Sequence, residues 1–206
     1  MFARCYARVS LRLDEQGMAA HRQRALAGLS GSVIEVGAGN GLNFPHYPAE
    51  VTRVLAVEPD PYLRGIAERQ AGQAQVPITV ADGVAERLPA PDAGFDAAVL
   101  SVVLCSVADQ GVALAELRRV VRPGGELRFL EHVRASTPGL RRVQRVLDVI
   151  EFWPLFAGGC HVSRDTLAAI AGAGFTVAQH EDFIFPETRI PAPASPHIWG
   201  IALRDP

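Results

Sequence analysis

The chain has 206 residues, enough to bury one substantial core. Apolar residues make up 49% of it and charged residues 20%, the balance of an ordinary globular protein and not of a disordered one. Its net charge of -2 offers no general attraction to polyanions, so no nucleic acid partner is expected.

Arginines at positions 4, 8 and 12 are followed by no apolar run, so Met1 to Leu13 reads as neither a secretory signal nor an anchor. Nowhere do the roughly 18 consecutive apolar residues of a membrane span occur. Asp14 to Leu29 is rich in helix formers and is closed by Gly31. Short apolar runs then recur at Val33 to Val36, Val51 to Val57, Pro77 to Val80, Phe95 to Val103 and Glu126 to Leu130. Helical stretches separate them, most clearly Val112 to Val121, which Pro123-Gly124-Gly125 is expected to stop. Continuous apolar strands alternating with helices predict a parallel sheet covered on both faces, an α/β doubly wound fold. Beyond Leu130 the rhythm changes. A helix is expected within 139 to 157, another over Arg164 to Ala173, and strands over Phe175 to Gln179 and Ile198 to Leu203. Cys5, Cys105 and Cys160 are odd in number and widely spread, which fits a reducing cytoplasm and gives no metal-binding spacing.

The most informative segment is Glu35-Val36-Gly37-Ala38-Gly39-Asn40-Gly41, where a strand runs directly into glycines. A turn without Cβ atoms lets backbone approach a ligand closely, and a helix is expected to open after it. A dinucleotide fingerprint would put its third glycine where Leu42 stands. A carboxylate beside the loop disfavours a pyrophosphate and favours a cationic group. Glu58 closes the second strand, where a carboxylate can accept from both hydroxyls of a ribose. The two signals together specify an adenosine ligand with a cationic portion.

Glu35 to Gly41, Glu58-Pro59-Asp60, Leu88-Pro89 with Phe95-Asp96, and Arg122-Pro123-Gly124-Gly125 resemble the successive motifs of class I S-adenosylmethionine-dependent methyltransferases of the type 11 pattern. That resemblance implies a Rossmann-like, seven-stranded, mostly parallel sheet with one antiparallel strand near the C-terminus. It also implies one domain over 1–206: a helical cap at 1–31, a cofactor-binding core at 32–133, an acceptor lid at 134–163, and a C-terminal helix and strand hairpin at 164–206. Asn43 to Pro48, Leu104 to Val107, Glu131-His132-Val133, Gly159-Cys160 and Pro196-His197-Ile198 further resemble methyltransferase-like proteins that S-methylate small alkyl thiols.

By that resemblance Gly37, Ala38, Gly39, Asn40 and Gly41 line the methionine end of the cofactor, with Glu35 nearby. Glu58, followed by Pro59, meets the ribose; Asp82, Gly83, Val84, Ala85 and Glu86 lie along the adenine edge, and Ser101 and Val102 pack near the sulfonium. Many relatives carry an aspartate where Val84 stands, which leaves the adenine contact to Asp82 or to backbone. His132 and Glu131, at the carboxyl edge of the sheet, are the catalytic candidates. His132 is either a base lining the pocket or a structural histidine, and Glu131 has the alternative of holding a lid helix through Arg142. Phe152, Trp153 and Phe156 suit a lid over an apolar acceptor, and Tyr6 covers the cofactor from the other side. No metal is expected.

The favoured reading is methylation of a small, mostly apolar acceptor, a thiol foremost. Its rivals are N- or C-methylation of a lipid amine or quinone and nicotinamide-dependent oxidoreduction, against which the glycine spacing counts. Leu140 to Phe156, with Arg141, Arg142 and Arg145, is amphipathic enough for weak contact with an anionic membrane surface. Oligomeric state is left open.

Overall fold

A computed structural model describes residues 2–206. Helices α1 (Phe2–Leu13) and α2 (Ala19–Leu26) lead into strand β1 (Gly31–Val36), β2 (Val51–Val57), α3 (Pro61–Ala71), β3 (Ile78–Ala81) and β4 (Phe95–Ser101). Then come α4 (Gln110–Val120), β5 (Val121–His132), α5 (Pro138–Val149), α6 (Phe152–Phe156), α7 (Thr166–Gly172), β6 (Phe175–Ile184) and β7 (Pro196–Arg204). The seven strands form one sheet in the order β3-β2-β1-β4-β5-β7-β6. Only β7 runs antiparallel to its neighbours β5 and β6, as the expected architecture requires.

Alternation along the strands fills both faces. On β4, Ala97 and Val99 point toward Leu26 and Ala67 on one side. Ala98 and Leu100 point toward Leu114, Leu117 and Ile170 on the other. Side chains of successive strand residues face opposite ways, so a strand buried on both faces is apolar throughout. Local chemistry sets the helix starts: Asp60 accepts from the amides of Tyr62 and Leu63 at 2.9 and 3.0 Å, and Asp109 from those of Gly111 and Val112 at 2.7 and 3.1 Å. Pro61 sits in the first turn of α3, where its missing N–H costs nothing.

Four expectations are corrected. The Asp14 to Leu29 helix is broken by a π-helical turn at Asp14–Met18, in which Gly17 adopts φ 122°. No long helix follows the glycine loop; a three-residue 3₁₀ turn at Phe44–His46 stands there, since Gly41 has φ 79° and Asn43 is engaged in a buried network. Pro123-Gly124-Gly125 does not stop α4, which ends at Val120. It lies inside β5, where a Cβ on Gly125 would stand 2.7 Å from the Asp96 carbonyl oxygen. The helix expected over 139 to 157 is split at Glu151, whose left-handed φ of 54° turns the chain between α5 and α6. No helix of the described residues is long and apolar enough to cross a membrane.

Candidate functional site

The carboxyl ends of β1, β2 and β4 point into one cavity of about 540 Å³, roofed by α1 and by the α6 segment. Gly37 and Gly39 form its floor beside β1, and Glu58, Pro59 and Asp60 one wall. Gly83, Val84 and Ala85 line a second edge, and Ser101, Val102 and His132 the far end. The positive φ angles of Gly37 and Gly39, 68° and 56°, turn the backbone toward this space. A Cβ on Gly37 would stand 2.6 Å from a Val103 methyl, so no larger residue fits without displacing that wall.

Glu58 is buried, and its carboxylate bridges two loops. Oε2 accepts from the Gly39 amide at 2.8 Å and Oε1 from the Asp60 amide at 2.9 Å. Each oxygen keeps acceptor capacity toward the cavity. Burial raises its pKa, opposed by the two backbone hydrogen bonds.

Glu35 does not line the cavity. Its carboxylate lies beneath the loop, accepting from Asn43 Nδ2 at 2.9 Å and the Tyr47 hydroxyl at 2.7 Å. Asn43 Nδ2 also donates to Ser101 Oγ at 3.0 Å, and Asn43 Oδ1 accepts from Arg22, which pairs with Asp14. This buried network accounts for the Asn43 to Tyr47 segment as the clamp joining α2, β1 and β4. Burial lifts the Glu35 carboxyl to about 7, despite the hydrogen bonds from Tyr47 and Asn43. A raised folded pKa means that Glu35 contributes its full stability below its unfolded pKa and loses it as pH climbs through about 7. Glu35→Gln is therefore expected to gain up to ~3 kcal/mol on wild type between about pH 4.5 and pH 8, at 1.36 kcal/mol per pKa unit. Urea titrations of the ligand-free protein across that range check this; parallel pH profiles would contradict it.

The other corrections follow burial and pairing. Asp82 faces solvent and pairs with Arg64 at 2.9 Å, whereas its neighbours 83–86 reach the cavity. Asn40 holds α1, donating to Ser10 Oγ at 3.2 Å and to the Ala7 carbonyl at 3.4 Å. Ala38 and Gly41 shape the turn without lining the space. Glu131 is fully buried; it accepts from the amides of Val103 and Leu104 at 2.9 and 3.1 Å and of Cys105 at 3.3 Å, with no contact to Arg142. Burial lifts its carboxyl to about 7. It pins the loop after β4, in which Val102 holds φ 61°, a strained conformation for a β-branched residue.

His132 lines both the main cavity and a neighbouring one of about 220 Å³ bounded by Leu13, Met18, Phe185 and Ala194. Its Nδ1 stands 3.3 Å from Cys160 Sγ and 3.7 Å from Cys105 Sγ. The Cys160 thiol is drawn down to about 5, first by the hydrogen bond from Cys105, then against burial and with the help of His132, while Cys105 is pushed up. His197 stacks edge-on against His132 with centroids 4.5 Å apart and donates from Nδ1 to the Ser195 carbonyl, 2.8 Å away. Burial holds the His197 pKa down at about 3. Trp153 lines the cavity, whereas Phe152 and Phe156 are exposed. Ser106, within the Leu104 to Val107 segment, also lines it, as do Ser10 and Ala194, which no motif in the sequence marks.

Residues 34–129 match a family model described as a methyltransferase domain. The human thiol S-methyltransferase TMT1A is 35% identical over 191 residues, covering 86% of this chain and 73% of that protein. A demethylmenaquinone methyltransferase of Deinococcus radiodurans is 35% identical over 125 residues, covering 60% of this chain and 52% of its own length. Among solved structures, geranyl diphosphate methyltransferase in complex with SAM shares the fold, with a TM-score of 0.68 at 14% identity, covering 92% of this chain and 85% of that one. A SAM-dependent methyltransferase from Methanosarcina mazei shares it at TM-score 0.66 and 18% identity, with coverages of 88% and 96%.

Proposed function

The chain belongs to the S-adenosylmethionine-dependent methyltransferase family, and from that premise we propose that it methylates the sulfur of a small, mostly apolar thiol. One observation carries the reading: the cavity runs without a break from the Glu58 carboxylate to the Cys160–His132 pair, and the neighbouring apolar cavity opens at the same histidine. Glu58 is assigned to the ribose hydroxyls, Gly37 and Gly39 to the methionine end, residues 83–85 to the adenine edge, and Ser101 and Val102 to the neighbourhood of the sulfonium. Glu35 and Glu131 are positioning residues, the first for the floor of the site and the second for the loop after β4.

The cofactor supplies a methyl carbon activated by its sulfonium, so the acceptor's lone pair forms the new bond as the carbon–sulfonium bond breaks. The chain's task is to hold the acceptor sulfur in line at about 3–3.5 Å from that carbon and to exclude water. Leu13, Met18, Val102, Phe185 and Ala194 supply an apolar wall suited to an alkyl or aryl group. A free thiol has a pKa of about 8.5, so modest help suffices to generate the nucleophile. A cytoplasmic setting, which keeps the free Cys105 and Cys160 reduced, fits this chemistry.

The test is release of S-adenosylhomocysteine from S-adenosylmethionine with a panel of small thiols, quinols and lipid amines. Turnover confined to thiols is expected; turnover of quinols or amines alone would replace the reading. His132→Ala is expected to lower kcat on thiols by ~10²-fold or more, the usual range for loss of a group that manages the acceptor's proton. Exposed Val146, Val149, Ile150, Leu155 and Phe156, beside Arg142 and Arg145, support weak contact of α5 and α6 with an anionic membrane surface. Co-sedimentation with anionic but not neutral vesicles is its check.

A further inference from the structure

We infer that Cys105, Cys160 and His132 form a binding site for a thiophilic divalent cation of the zinc type, with its fourth coordination position open to the acceptor end of the cavity. The three residues come from separate parts of the chain: the loop after β4, the loop after α6, and the end of β5. Their ligating atoms all lie within 4.8 Å of one another. Zinc–sulfur bonds of about 2.3 Å and zinc–nitrogen bonds of about 2.0–2.1 Å, at a tetrahedral angle, separate S and N by about 3.5 Å. The observed separations from His132 Nδ1, 3.3 Å to Cys160 and 3.7 Å to Cys105, bracket that value.

Backbone contacts hold the three donors in place before any ion arrives. Glu131 accepts the Cys105 amide, and the His161 amide donates to the Cys105 carbonyl at 2.7 Å, tying the two cysteine loops together. Arg164 clamps the first loop through the Leu104 and Val107 carbonyls at 2.6 and 2.8 Å. Asp148 clamps the second by accepting from Val162 and Ser163 at 3.2 and 2.8 Å.

The donor chemistry selects the ion. Two sulfurs and an imidazole suit zinc and exclude calcium and magnesium, which take oxygen ligands. Three protein ligands are the mark of a reactive centre, since structural zinc sites close with four. The geometry also supplies the opening: Cys105 is fully buried, whereas Cys160 and His132 line the cavity. Resting on the thiol reading above, the fourth ligand is the acceptor sulfur. Its S–H bond breaks, the proton leaves to water, and the sulfur binds the cation while keeping a lone pair for the methyl carbon. His132 then acts on the acceptor's proton through the cation that it holds at Nδ1.

The experiment uses the full chain, reduced with a phosphine, stripped with a chelator and titrated with Co²⁺. One equivalent is expected to bind, with thiolate-to-cobalt charge-transfer absorption and the visible bands of a tetrahedral ion, and Zn²⁺ should displace it. Cys160→Ser should weaken binding by ~10²-fold or more, at least the loss seen when a partner of a metal ligand is removed, while Cys5→Ser should leave it unchanged. Adding 2-mercaptoethanol should shift the visible bands as a further sulfur joins the ion. Folded wild type without the charge-transfer band overturns the site, and undiminished thiol turnover by metal-free protein overturns the acceptor's place on the ion while leaving the thiol reading standing. Bound cobalt whose bands ignore the thiol, in a protein that turns over no thiol, would remove the acceptor from the fourth position and the thiol reading with it.

Discussion

Glu58→Ala is expected to weaken S-adenosylmethionine binding by ~10²- to 10³-fold, the largest effect on affinity of any single polar substitution proposed for this cavity. Hydrogen bonds to a charged acceptor contribute ~1.5–3 kcal/mol each, so two ribose hydroxyls donating to one carboxylate account for ~3–6 kcal/mol, and the expected loss takes the lower part of that range at 1.4 kcal/mol per tenfold. The carboxylate is already oriented, because the Gly39 and Asp60 amides hold one oxygen each at 2.8 and 2.9 Å. No ordering of the side chain has to accompany binding. The same two amides lose their partner in the alanine variant, so calorimetry belongs well below its unfolding midpoint. Glu58→Gln keeps one acceptor oxygen and should fall between the two. Affinity within threefold of wild type in Glu58→Ala would remove Glu58 from the ribose contact.

Glu131→Ala is expected to be the most destabilising of the polar substitutions, by at least ~3 kcal/mol, since it strands three buried amides that each cost ~1–3 kcal/mol unpaired. Loss of a buried charge offsets part of this. Those amides belong to Val103, Leu104 and Cys105, immediately after the strained Val102. Without the carboxylate, nothing else on these amides opposes relaxation of Val102 out of its left-handed conformation. For a chain of this size the loss corresponds to about 6–12 °C in Tm. Glu131→Gln keeps an oxygen for Val103 and Leu104 but turns an NH₂ group toward the Cys105 amide, so its loss should be smaller. Urea unfolding with an unchanged m-value separates a stability effect from a change in the unfolded state. A Glu131→Ala variant within ~1 kcal/mol of wild type would show that the amides find other partners. A role in positioning, beyond stability, predicts that Glu131→Gln assayed below its midpoint still loses kcat while KM for S-adenosylmethionine holds.

Sequence reading succeeded wherever the governing physics is local. Strand β2 carries the expected bounds, Val51–Val57, because its apolar run and its flanking turn residues all lie within a few positions of each other. The glycines at 37 and 39 and the carboxylate at 58 were legible for a related reason. Backbone freedom and the end of a strand are properties of a residue and its neighbours. Glu35 and Asp82 were harder. Each stands where a carboxylate facing the ligand is reasonable, yet one is taken by Asn43 and Tyr47 and the other by Arg64.

Residue order by itself thus determined the layering of the fold, the glycine turn at the cavity floor and the acid that closes the second strand on the cavity wall, because periodicity, glycine sterics and charge act over short stretches of chain. Only the tertiary structure decided which carboxylates face the cavity and which lie beneath it. It alone brings Cys105 and Cys160 to His132 across separations of 27 and 28 residues. No spacing rule announces such a cluster, since its geometry is set by the order of β4 and β5 in the sheet and by backbone clamps from Glu131 and Asp148, contacts that come into being when the sheet forms.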